Sequence, residues 1–199
     1  MKVIGLCGGS GSGKGQASLC FADRGVPSLD TDSLYHSIIS GDSECTREIA
    51  SAFGSEILDD NRGVDRKKLS NIVFSDESGE KLKTLNTITH KFVLDGCRKW
   101  LDAQKQKGCR AAIIDAPLLF ESGFDRECDV VICVEADEKT RIKRIIDRDH
   151  TSEEIAKIRI NSQADNSFLE RHSDYIIENS ADISALDLQV EKICRLILD

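Results

Sequence analysis

Residues Gly5 to Ser18 read GLCGGSGSGKGQAS. Gly8 and the pair Gly13-Lys14 fit the spacing G-x-x-x-x-G-K, whose usual next residue is Ser or Thr. Gly8, Gly9, Gly11 and Gly13 let successive backbone N–H groups turn inward around phosphate oxygens, a nest that side chains would obstruct. Lys14 adds a full positive charge, and the start of a following helix adds its dipole. The stretch therefore reads as a phosphate-binding loop, with Gly9, Gly11, Ser12, Gly13, Lys14, Gly15 and Gln16 around an ATP. A plain glycine turn would not need four glycines and a lysine at these offsets. Gly15 removes the hydroxyl that ordinarily contacts magnesium, so Mg²⁺ would be held by nucleotide oxygens, water and carboxylates beyond the loop. The dinucleotide fingerprint G-x-G-x-x-G is absent.

Further groups suit phosphoryl transfer. In "PSLDTDSLYHSI", Asp30 and Asp32 directly follow an apolar run, at the strand end where ligands of parallel sheets gather. One carboxylate can orient the water shell of Mg²⁺ and the other can accept a proton from an attacking hydroxyl; alternatively, one caps the helix beginning near Ser33. Asp115 closes "AAIID" in the manner of a Walker-B strand end and can support magnesium through water. Arg141, Arg144 and Arg148 share one helical face while Ile142, Ile145 and Ile146 define another. Such a basic stripe is usually solvated, but beside a phosphate loop guanidinium groups suit the charge of the transferring group.

Positioning these residues requires a particular order of elements. Val3–Cys7, Val26–Leu29, Ala111–Ile114, Val130–Val134 and Tyr175–Ile177 read as strands. Their near-continuous apolar character predicts a parallel sheet buried on both faces, hence an α/β class with flanking helices. A single helix, about Lys14 to Asp23, links the first two strands. The next crossover, Thr31 to Arg110, is far longer and carries three apolar stripes: Ile49, Phe53, Ile57; Leu69, Ile72, Val73; and Leu82, Leu85, Ile88, Phe92. "DDNRGVD", Asp59 to Asp65, reads as a turn among them. The expectation is one domain, residues 1–199, with a helical lobe at about 33–108 and a lid at about 138–165.

Bulk composition narrows the partners. The chain has 199 residues, 31% charged and 40% hydrophobic, a globular balance. Its net charge of −8 argues against a general nucleic-acid binder. The eight cysteines include no C-x-x-C pair, and several lie in apolar runs such as "VVICVEA", so they read as reduced, buried residues of a cytoplasmic protein. No apolar run approaches bilayer length, and no protein partner is implied.

"GSGKG" resembles the adenylate-kinase form of the loop, which points to small-molecule kinases. The resemblance then becomes more specific. The loop, "LDTD", "LNTITH", "DAPLLFESG", "KRIIDRD" with the later "RINSQ", and "SDYIIENS" follow the order seen in dephospho-CoA kinases, over essentially the whole chain. That family is similar in having a P-loop nucleotide core, a helical coenzyme A lobe and a lid. It uses ATP to phosphorylate the ribose 3′-hydroxyl of dephospho-CoA. The resemblance implies Asp32 as base, Lys14 on the β and γ phosphates, and Arg144 and Arg148 as lid arginines, while Arg141 stands where the family more usually has a polar residue. Asn179, after the last strand, fits a contact to the adenine edge or a plain turn residue. The resemblance also implies Pro117, Leu118, Leu119 and Phe120 beside the acceptor, the leucines and Phe120 fitting core packing equally well. Glu121 reads as polar support or a helix cap. Gln163 matches a family glutamine of underived role. His90 reads as an acceptor contact or a plain helix residue, since Lys91 follows it where the family typically has proline.

The residues also admit two competing readings. One is another nucleoside or nucleotide kinase. The other is an ATP-binding regulator whose chemistry has lapsed, signalled by Gly15 and Lys91.

Overall fold

In the computed structural model, which describes residues 1–162 and 166–198, five strands form one sheet. They are β1 (Lys2–Cys7), β2 (Ser28–Asp30), β3 (Ala111–Asp115), β4 (Val130–Glu135) and β5 (Tyr175–Glu178), in spatial order β2-β3-β1-β4-β5. β1 pairs in parallel with both β3 and β4, and β4 with β5. The predicted strands therefore stand, each within two residues of its expected bounds. The central three are apolar apart from Lys2, Asp115 and Glu135 at their ends, because helices or loops cover both of their faces.

The chain divides into two compact units, Met1–Leu29 with Leu101–Asp199, and Asp30–Trp100. In the first, α1 (Lys14–Ala22) and α9 (Ile183–Leu198) cover one face of the sheet. Ile4 and Leu6 of β1, Ile113, Ile132, Val134 and Ile177 meet Phe21, Leu186 and Val190 there. Phe21 is completely buried, which contributes roughly 1.5–3 kcal/mol. On the other face Gly5 admits Leu119: a Cβ at Gly5 would lie 2.8 Å from a Leu119 methyl. The same unit carries α6 (Glu138–Asp149), α7 (Glu153–Asn161) and α8 (Asn166–Arg171).

The second unit holds α2 (Thr31–Ile39), α3 (Glu44–Phe53), α4 (Arg66–Phe74) and most of α5 (Glu80–Gln106). Its own core gathers Ile39, Ile49, Ile57, Leu69 and Val73, with Leu85, Ile88 and Phe92 packed against them. The stripe Ile49, Phe53, Ile57 is not one helix, as its fourfold spacing suggested. α3 ends at Phe53, Gly54 turns the chain at φ 99°, and Ile57 returns to the core on a 3₁₀ turn. Asp59 secures the predicted turn by accepting from the Asn61 and Gly63 N–H groups. At Lys91 the helix continues where a proline would interrupt it. The Lys91 ammonium instead pairs with Glu48 at 3.0 Å.

Candidate active site

The loop leaves β1 at Cys7 and enters α1 at Lys14. Gly13, the N-cap, has φ 91°, and no side chain caps the helix. Its α-carbon also sits against Asn179: a Cβ there would lie 2.2 Å from Nδ2. Both facts exclude any larger residue. Gly8 is equally constrained, since a Cβ would fall 2.2 Å from the Val134 carbonyl oxygen.

Three side chains hold the outer rim of the loop. Arg141 donates through Nε to the Ser10 carbonyl at 2.9 Å. Arg144 donates to the carbonyls of Gly11 (3.3 Å), Ser12 (3.1 Å) and Asn179 (2.9 Å). Asn179 Nδ2 donates to the Ser12 carbonyl at 2.8 Å. With successive carbonyls drawn outward toward cations, the peptide planes are biased to present N–H groups to the inner side, where an anion binds. Arg141, which stands where the resemblance leads one to expect another polar residue, is the most buried of the three arginines on α6, at 5% exposure. Burial pushes its guanidinium pKa down from the ordinary arginine value.

Lys14 lies at the inner side. Its Nζ donates to the Gly8 carbonyl at 3.3 Å and is 3.8 Å from Asp115 Oδ1. Ser18, one turn along α1, donates to Asp115 Oδ2 at 3.4 Å. Gly15 and Gln16 are exposed in the first turn, and a Cβ at Gly15 would meet nothing within 4 Å. Ser12 is buried and its hydroxyl has no partner, while its N–H donates to the Gly9 carbonyl. Its side chain is therefore turned into the fold rather than toward a nucleotide.

Several expectations change. Asp30 caps α2, accepting from the Ser33 N–H at 2.8 Å, which is the helix-capping alternative its position also offered. Leu119 is fully buried against Gly5 and belongs to the core rather than to an acceptor surface. Pro117 and Leu118 are exposed beside it, and Phe120 is half-buried. Glu121 is exposed. Asn179 is buried with its amide on the loop, a clamp in place of the expected adenine contact. Arg148 is turned away from the loop, with Nε and Nη2 on Asp149 at 2.7 and 2.9 Å. Arg159 of α7 reaches the same carboxylate. These cations hold the Asp149 carboxyl down at about 2. Asp32 is exposed in the first turn of α2, and His90 is half-buried on α5. Gln163 lies outside the described residues.

The sequence reading passed over Ser18, Arg159 and a ring cluster. In that cluster Phe168 stacks on His172 at 4.1 Å and meets Phe120 edge-on at 5.4 Å. The i, i+4 spacing of Lys14 with Ser18 and of Phe168 with His172 was the available signal.

A metal would need help from the nucleotide. Among the described residues, no three His, Cys, Asp or Glu side chains converge on one point. A single carboxylate, Asp115, beside Lys14 fits Mg²⁺, which commonly takes one or two carboxylates together with phosphate oxygens and water.

The sequence profile of the dephospho-CoA kinase family matches residues 2–185. A curated dephospho-CoA kinase from Fusobacterium nucleatum is 39% identical over 195 residues, covering 98% of each chain. A crystal structure from Thermus thermophilus superposes with a TM-score of 0.83 at 25% identity, over 100% of this chain and 98% of that one. A dephospho-CoA kinase from Campylobacter jejuni superposes with a TM-score of 0.73 at 26% identity, over 100% of this chain and 98% of that one. With a lysine-bearing phosphate loop at the end of its central strand and this likeness along its length, the chain belongs to the dephospho-CoA kinase family.

Proposed function

We propose that the chain transfers the γ-phosphoryl group of ATP to the ribose 3′-hydroxyl of dephospho-CoA, giving coenzyme A and ADP. The observation that carries this reading is the phosphate loop, its carbonyls held outward by Arg141 and Arg144 and its inner side facing Lys14, in a chain of this family. Lys14 leaves the Gly8 carbonyl for the β and γ phosphates. Asp32 accepts the proton of the 3′-hydroxyl as its oxygen bonds to phosphorus, and the bond from phosphorus to the β–γ bridging oxygen breaks to release ADP. Bound beside Asp115 through water, Mg²⁺ would supply charge neutralisation on the phosphates.

Residues 33–108 receive the acceptor, with His90, Pro117, Leu118 and Phe120 as contacts. Residues 138–165, of which 163–165 lie outside the described residues, act as a lid that excludes water, which would otherwise hydrolyse ATP. In the closed state Arg148 exchanges Asp149 for phosphate oxygens, a change that suits its exposed position. A cytoplasmic location accords with eight cysteines of which none forms a disulfide, and with the lack, among the described residues, of a helix long and apolar enough to cross a membrane.

The test is ADP release from Mg-ATP with dephospho-CoA, AMP or adenosine. Release dependent on dephospho-CoA is expected. Stimulation by AMP or adenosine instead would support another nucleotide kinase, and ATP binding without turnover on any acceptor would support a lapsed enzyme.

A further inference from the structure

The loop lacks a hydroxyl at position 15, yet one turn later α1 carries another, and it is engaged in an unusual way. A serine inside a helix commonly bonds back to the carbonyl four residues earlier. Ser18 instead donates across to Asp115 Oδ2 at 3.4 Å, while Lys14 approaches Oδ1 of the same carboxylate at 3.8 Å. Lys14 and Ser18 are four residues apart and share one face of α1. The carboxylate is thus met by the helix at both of its oxygens, and Ser18 and Asp115 are both less than a tenth exposed. A buried carboxylate is costly without such partners, so the hydroxyl both tolerates and orients it. Gly15, by contrast, presents only hydrogen to open space.

We infer that Ser18 is a positioning residue for the metal-nucleotide complex. By fixing Asp115 beside Lys14, it makes up part of the hold that a hydroxyl at position 15 gives in loops that have one. The inference rests on the reading that Mg²⁺ accompanies the nucleotide at this loop. Ser18 itself touches neither the metal nor the phosphates; it sets the direction of the carboxylate that reaches the water shell.

The experiment measures Mn²⁺ affinity by electron paramagnetic resonance on the full chain with ADP bound, and ADP affinity separately in EDTA. Ser18→Ala should weaken Mn²⁺ roughly tenfold, the lower end for loss of an outer partner because the contact is long. Metal-free ADP binding should stay unchanged, which a general packing defect would not allow. Ser18→Thr keeps the hydroxyl and should keep wild-type Mn²⁺ affinity. Gly15→Ser, placed in open space, should restore more affinity in the Ser18→Ala background than it adds to the wild type. Equal Mn²⁺ affinity in Ser18→Ala and wild type would overturn the inference. A wild-type ADP complex that takes up no Mn²⁺ would overturn the metal reading, and the inference with it, in a control that involves no variant.

Discussion

Asp32 and Asp30 are two residues apart and have different fates. Asp30 holds the first turn of α2 through the Ser33 N–H, whereas Asp32 is exposed within that turn. A carboxylate that caps a helix is held in place by that bond, which leaves the other, Asp32, better placed to act as base. We expect Asp32→Asn to lower kcat by roughly 10²- to 10⁴-fold, the usual worth of a positioned base, while leaving the Kd for ATP unchanged. Steady-state kinetics with equilibrium nucleotide binding will check this. A near-wild-type kcat would remove Asp32 from the role of base.

Among the elements, α6 is the piece that joins the glycine loop, through Arg141 and Arg144, to α7, through Asp149 and Arg159. Its N-cap Asp137 accepts from the N–H and the hydroxyl of Thr140 at 2.9 and 2.7 Å, which holds that carboxyl down at about 2. At its far end Asp149 is similarly depressed, first by Arg148 and then by Arg159. Both groups are lower in the folded state than the ordinary value of 3.8. Their stabilisation is therefore complete above that value and is lost as pH falls through about 2. Urea unfolding followed from roughly pH 6 to pH 2 should show stability falling in this window. Asp149→Asn should flatten part of that slope and, by freeing Arg148 and Arg159, loosen the corner between α6 and α7.

At the scale of the whole molecule, two units each have a hydrophobic core of their own. Ile49 is fully buried among Ile39, Ile57 and Leu69. Ile49→Ala should cost roughly 2–5 kcal/mol through lost burial and the cavity left behind, read by denaturant unfolding. Hydrogen exchange should show α3 and α4 amides losing protection while β1 and β4 keep theirs. Uniform loss of protection across both units would mean that their cores are not separable. Against an overall charge of −8, the chain gathers Lys14, Arg141 and Arg144 at one loop, a local concentration of positive charge.

The α/β class, all five strands and the phosphate loop were legible in the sequence. Each rests on local physics: buried parallel strands need apolar runs, and a nest of N–H groups needs glycine at fixed offsets. The resemblance to the kinase family was carried by the same short segments. The sequence could not assign partners to polar groups, because partners come from distant elements. Arg144 meets Ser12 from 132 residues away, Asn179 meets it from 167, and Ser18 meets Asp115 from 97. Likewise Leu118 and Leu119 are chemically identical neighbours, yet the backbone turns one outward and the other onto Gly5. Ile57 kept its spacing but lost its helix, since contact with Ile49 depends on packing rather than on continuous hydrogen bonding. The chain alone determined the elements and the kind of chemistry. Which arginine holds the loop and which carboxylate stands by the lysine was decided by tertiary structure, where burial requires each polar group to find a partner in space.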